Sequence, residues 1–169
     1  MDALTAIQTR RSVRKYREGK VADELINKIL EAGMNAPSAG NEQPWHFIVI
    51  KDRKTLNEIP KFSPYAGMVK QANFAILVCS DRKLEKYEGY RVQDCSAATQ
   101  NILLSAHALG LGAVWTGVYP REDRVKGFRK QLNIPDDVIP FAFIPVGYPA
   151  EETVASDRFR KDRVHFERW

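Results

Sequence analysis

Apolar positions along this chain follow two rhythms, one of helical spacing and one of near-continuous runs. Residues 2 to 10 read as a short helix with Ala3, Leu4 and Ile7 on one face. In Asp23 to Leu30 the apolar residues fall at 25, 26, 29 and 30, the period of a helix face, with Asp23 as its N-cap. Gly33 and Pro37 mark its end. Trp45 to Lys51 has the composition of a strand, and Thr55 to Ile59 that of a short helix stopped by Pro60. Asn73 to Cys79 is almost wholly apolar, which predicts a strand covered on both faces. Val92 to Leu109 is the longest helical pattern, and its many small residues predict close packing, at a subunit interface or in the core. A short strand over 112–116 and a helix over 124–132 follow. Phe141 to Gly147 is a last core strand, in which Pro145 predicts an interruption or an edge position. Helices and strands in this order make a mixed α/β chain. The residues after Pro149 lose the apolar period and read as an extended tail.

At 169 residues the chain is expected to form one domain, over 1–169, with a real core. No apolar run approaches the roughly 20 residues of a membrane span, and the first residues lack the layout of a signal peptide. Cys79 and Cys95 stand alone, without metal-ligand spacing, and read as reduced interior residues. Both features lead to an expectation of a cytoplasmic protein without a membrane partner.

The net charge of +5 matters less than where it sits. Residues 10 to 17 carry five basic side chains around one hydroxyl, Ser12. Such a cluster raises nucleic acid as a partner, but no recognition helix, zinc finger or aromatic RNA platform accompanies it. A compact phosphate site explains two separated basic clusters better than a continuous basic stripe does. Arg10, Ser12 and Arg14 alternate, so an extended backbone points all three the same way. Guanidinium forks suit phosphate oxygens. A second stretch, Pro37-Ser38-Ala39-Gly40-Asn41-Glu42-Gln43-Pro44-Trp45, offers turn residues and two side-chain amides, Asn41 and Gln43. Amides donate and accept at once, which suits the edge of a planar polar ring. A third stretch runs from Gly110 to Gly117; its glycines do not complete a dinucleotide fingerprint, since position 115 is Trp. Arg158 and Arg160 form a fourth, a basic pair in the tail. Together these groups imply a pocket for a phosphorylated heterocycle. His46, His107 and His165 have no metal-triad spacing and read as structural.

These motifs, RRSVRKY, APSAGNEQPW, GLGAVWTGVYP and the basic tail ending in HFERW, occur in one order along nearly the whole chain. The pattern resembles the nitroreductase family of FMN-dependent oxidoreductases. The resemblance implies an α+β fold with a central, mainly antiparallel mixed sheet flanked by helices. It implies an intertwined homodimer, with residues 150–169 reaching the partner subunit. It implies FMN as cofactor, NAD(P)H as reductant and a small-molecule acceptor such as a nitroaromatic or quinone, in ping-pong order. Arg10 and Ser12 then meet the FMN phosphate, Arg11 lies along the ribityl chain, and Arg14 reaches the N1/O2 edge. Pro37, Ser38, Ala39, Asn41 and Gln43 form a loop that touches the cofactor from the partner subunit of the dimer. Backbone groups at Thr116 and Gly117 face N5 and O4, where the chemistry occurs, and Arg158 and Arg160 add phosphate contacts. Larger family members carry Glu where this chain has Thr116, which leaves a side-chain role at N5 open. Phe62, Tyr65 and Met68 are candidates for a cover over the substrate. A flavin storage or sensor protein, and a dehalogenating or flavin-cleaving member of the same fold, remain alternatives.

Overall fold

The computed structural model describes residues 1–154 and 156–169. Its helices are α1 (Ala3–Thr9), α2 (Asp23–Met34), α3 (Arg53–Glu58), α4 (Arg91–Ala108) and α5 (Glu122–Leu132). Its strands are β1 (Tyr16–Arg17), β2 (Trp45–Ile50), β3 (Phe74–Asp81), β4 (Gly112–Ala113), β5 (Thr116–Gly117) and β6 (Val138–Pro149). All strand pairs are antiparallel, and β6 is the hub: it pairs with β3 along one side and with β1, β4 and β5 along the other. β2 closes the far side of β3.

β3 shows why the sheet is buried twice. Phe74, Ile76 and Val78 point into one core with α2 and α4. Ala75, Leu77 and Cys79 point into a second core with Leu56, Val69, Phe128 and Phe143. Successive strand residues face opposite sides, so an uninterrupted apolar run serves both cores. Both cysteines are free and fully buried, and burial pushes each thiol up to about 12. They stay protonated and unreactive at neutral pH.

Several local expectations change. Asp23 is the first residue of α2 rather than its cap; Ala22 occupies that place, and Asp23 pairs with Lys51 at the surface. Side-chain caps occur elsewhere: Asp2 accepts from the Thr5 N–H of α1, and Asp52 from the Thr55 N–H of α3. In α1, Ala6 is buried while Leu4 and Ile7 are exposed. The single strand expected over 112–116 is two short ones, each paired with β6. Pro145 neither interrupts β6 nor lies at an edge. It stands opposite Ala75, and its carbonyl accepts from Tyr16 Oη and the Val114 N–H. The register shift falls between Val78 and Cys79, near Pro140.

Candidate functional site

The segment 10–14 leaves α1 and runs alongside β4. Ser12 bridges Ala113 in parallel, and the Val13 N–H donates to the Ala113 carbonyl at 3.0 Å. This approach requires Gly112, since a Cβ there would meet Val13 at 2.6 Å. Behind Val13, Asn73 ties the following turn to the sheet. Its amide donates to the Gly19 carbonyl at 2.6 Å and accepts from the Tyr148 N–H at 2.8 Å. The basic segment is thus held by its backbone, with Arg10 half-buried and Ser12 and Arg14 exposed.

Arg10 and Arg158 converge from opposite ends of the chain. Burial lowers the pKa of the Arg10 guanidinium, and the nearby charges of Arg158 and Arg11 lower it further. Among the described residues, no carboxylate forms an ion pair with Arg10, Arg14, Arg158 or Arg160. Like charges gathered without a counter-ion suit a polyanion such as a phosphate. Arg11 is used differently: its guanidinium donates to the carbonyls of Gln8, Arg10 and Val154 and to Ser156. It therefore fastens the start of the tail to the basic segment. His107 lies beside this cluster, bonded to Thr9 Oγ1 at 2.8 Å. Its pKa is lowered by burial and then by Arg10 and Arg11, which favours the neutral ring.

The 37–43 loop is a single tight turn. Gly40, Asn41 and Gln43 all have positive φ, at 50°, 55° and 47°. Gln in this region is uncommon and its backbone is strained. The turn is pinned from within by Ser38 Oγ, which accepts from the Gln43 N–H at 3.0 Å. It is pinned from beneath by Asp94 Oδ1, which accepts from the Ala39 N–H at 3.0 Å. Asn41 and Gln43 are exposed, and among the described residues neither amide side chain has a hydrogen-bond partner. They are not spent on local backbone, as an ordinary loop would spend them.

At β5, Thr116 is buried and its Oγ1 donates to the Phe143 carbonyl at 2.8 Å. That hydroxyl is committed inward, to the backbone of β6. Gly117 is exposed and its carbonyl accepts from Arg124 Nη1 at 2.6 Å. The Arg124 guanidinium also lies over the Tyr65 ring, 5.2 Å from its centroid, within the reach of a cation–π pair. Tyr65 is 73% exposed. Phe62, in contrast, is an anchor: it packs edge-on against Phe128 at 5.1 Å and fills the space above Gly127. Met68 is likewise partly buried against the second core. Of the three candidate covering residues, Tyr65 alone presents its ring to solvent.

Glu42, Asp94 and Arg124 are functional candidates that sequence reasoning passed over. Two left a signal: Glu42 is the one charge in its loop, and Asp94 is an acid at a core-facing position beside Cys95 and Ala98. Among the described residues there is no cluster that could hold a metal ion, and no helix long and apolar enough to cross a membrane.

Known proteins resemble this chain along its whole length. The chain is 60% identical over 169 residues to a Methanothermobacter thermautotrophicus protein named "Putative NADH dehydrogenase/NAD(P)H nitroreductase", covering all of this chain and 88% of that one. An FMN-dependent nitroreductase from Clostridium difficile superposes with a TM-score of 0.91 at 30% identity, covering 98% of this chain and 99% of the other. A provisionally named nitroreductase from Desulfovibrio desulfuricans, solved in complex with FMN, superposes with a TM-score of 0.85 at 35% identity, covering 100% and 99%. The model of the nitroreductase family matches residues 7–66 and 61–148, and the chain belongs to that family.

Proposed function

We propose that this protein is an FMN-dependent oxidoreductase that uses NAD(P)H to reduce a small-molecule acceptor such as a nitroaromatic or a quinone. The observation that carries the reading is the meeting of Arg10 and Arg158 without a counter-charge. It is supported by the two unpartnered amides of Asn41 and Gln43. The residues present fit FMN: cations and the Ser12 hydroxyl for its phosphate, amides for the polar edge of its ring. When bound, FMN supplies the two-electron chemistry, taking hydride from NAD(P)H and passing reducing equivalents to the acceptor.

The chain's own groups then do three things. Arg10, Ser12, Arg158 and Arg160 bind the phosphate through charge-assisted bonds. Arg14 places positive charge at the N1/O2 edge, where it favours the reduced, anionic form. Asn41, Gln43 and the backbone at Thr116 and Gly117 orient the ring, while Pro37, Ser38 and Ala39 shape the loop that carries the amides. Arg11 contributes indirectly, by fastening the tail that brings in Arg158.

The site is completed by a second copy. Beyond Arg158 the tail leaves Phe159, Phe166 and Trp169 exposed, at 70%, 84% and 102%. Large apolar side chains in such a row call for burial elsewhere. We assign their cover to the partner of a homodimer, with the whole chain as a single domain.

The direct test is an absorption spectrum of the purified protein before and after anaerobic NADH or NADPH. A flavin spectrum that bleaches supports the reductase. A flavin spectrum that persists favours storage or sensing, and absence of flavin after FMN is added removes the cofactor assignment.

A further inference from the structure

Two carboxyl groups lie beneath the 37–43 loop, and neither has a part in the proposed chemistry. Glu42 belongs to the loop and Asp94 to the first turn of α4. The two residues are only 6% and 4% exposed. Each spends one oxygen on backbone: Asp94 Oδ1 accepts from Ala39, and Glu42 Oε2 accepts from the N–H groups of Lys86 at 2.6 Å and Tyr87 at 3.1 Å. The other oxygens, Glu42 Oε1 and Asp94 Oδ2, are buried with no further partner among the described residues. The two carboxyl groups are near neighbours, and each acts on the other's proton affinity. Two ionised carboxylates offer only acceptors, so their orphaned oxygens can partner each other only through a proton. Two buried like charges also repel strongly, which favours retention of one proton by the pair.

We propose that Asp94 and Glu42 share a single proton, and that this shared proton positions the Ala39–Gln43 loop for the cofactor. The pair joins three separate pieces of chain: the loop, the 86–87 turn and α4. It also supplies the anchoring that the positive-φ residues of the loop need. The positioning half rests on the assignment of this loop to FMN; the shared proton does not.

The surrounding charges agree with this arrangement. Burial raises the Asp94 pKa, and the neighbouring carboxylates of Glu42 and Glu85 raise it further against the lowering bond from Ala39. Burial also acts to raise Glu42, but the Lys86 N–H, the Asp94 side chain, the Tyr87 N–H and the Lys86 charge outweigh it, and the net shift is downward. Glu85 is itself paired with Arg91 at 3.2 Å, and Cys95, next to Asp94, remains a neutral thiol. The signs fix the pH window. A raised folded value for Asp94 gives a contribution that is full below its unfolded value and is lost as pH rises through the folded one. A lowered value for Glu42 gives a contribution present above its unfolded value and lost as pH falls through the folded one. The one-proton state is favoured between the two.

The full-length protein tests this by its thermal midpoint and its FMN dissociation constant, each followed from about pH 5 to about pH 8. In the wild type both the midpoint and the affinity decline toward the alkaline end. Asp94→Asn keeps an acceptor for Ala39 and puts a permanent donor where the proton sits, so its profiles are flat and it surpasses the wild type at the alkaline end. Asp94→Ala lacks that acceptor and loses about tenfold in FMN affinity across the range. Glu42→Gln reads the same proton from the other side, and its flat profile serves if the first variant fails to fold. Melting profiles of both amide variants as steep as the wild type's overturn the shared proton. Flat melting profiles with an FMN affinity that no variant changes overturn the positioning role. A wild type that binds no FMN overturns both the positioning role and the cofactor reading, while its melting profile still decides the proton.

Discussion

The 37–43 loop and the C-terminal tail are the two outer walls of the candidate site, and they are built in opposite ways. The loop is fastened inside its own chain by Ser38, Asp94 and the Glu42 contacts to the 86–87 turn. It therefore holds backbone conformations that would relax if the turn were free. Among the described residues the tail is tied to the body near its start, where Lys15 pairs with Glu151 and Arg11 grips Val154 and Ser156. From Arg158 onward every residue is exposed. One wall is pre-organised by buried polar groups; the other has the apolar side chains to bury but no surface of its own to bury them on. The contrast is the ground for the second copy proposed above.

The strongest way to break this comparison is to remove the weaker wall. A chain ending at Pro149 keeps the two cores but loses Arg158, Arg160 and the exposed aromatics. It is expected to elute as a monomer in size-exclusion chromatography. Its FMN affinity should fall by about a hundredfold or more, since two charge-assisted contacts of roughly 1.5–3 kcal/mol go with the tail. A truncated dimer with full FMN content would show that the tail is not the partner's wall.

Arg10→Ala sharpens the point at which the tail meets the body. Loss of one phosphate contact of about 2 kcal/mol corresponds to roughly a thirtyfold weaker FMN dissociation constant, measurable by fluorescence titration. Unchanged FMN retention would remove Arg10 from the site. Gly112→Ala attacks the shelf on which the basic segment lies. The added methyl meets Val13, and overpacking of this kind costs about 1–3 kcal/mol. It should lower the melting temperature and weaken FMN binding together. Thr116→Val has the smallest expected effect. It leaves the Phe143 carbonyl without its donor, at a cost of about 1 kcal/mol in stability. The rate of flavin reduction by NAD(P)H should stay close to the wild-type rate; a large loss would give the Thr116 hydroxyl a role that its inward bond does not accommodate.

Much of the fold was readable because its signals are local. β3 carries six consecutive apolar residues, Phe74 to Cys79, ahead of Ser80 and Asp81, and that run is enough to demand cover on both faces. The family motifs were equally legible, since each is a short run of residues. Pro145 misled for the opposite reason. A proline is excluded from a strand interior only where its missing N–H is needed, and the pairing partners decide that need. The sequence places Phe62 in a stretch where a substrate cover could lie; Gly127, far along the chain, provides the space that its ring fills. Glu42 and Asp94 were passed over because a carboxylate's role depends on what lies opposite it.

By itself, then, the sequence determined the order of helices and strands, the two-sided burial of β3 and the residue types available for a phosphorylated ring. These follow from periodicity and side-chain chemistry, which are properties of neighbours along the chain. The tertiary structure alone decided that Arg10 meets Arg158, that Thr116 turns its hydroxyl inward, and that two acids settle face to face under the loop. Those outcomes depend on distances between residues remote in sequence, and burial sets the strength of the charges once those distances are fixed.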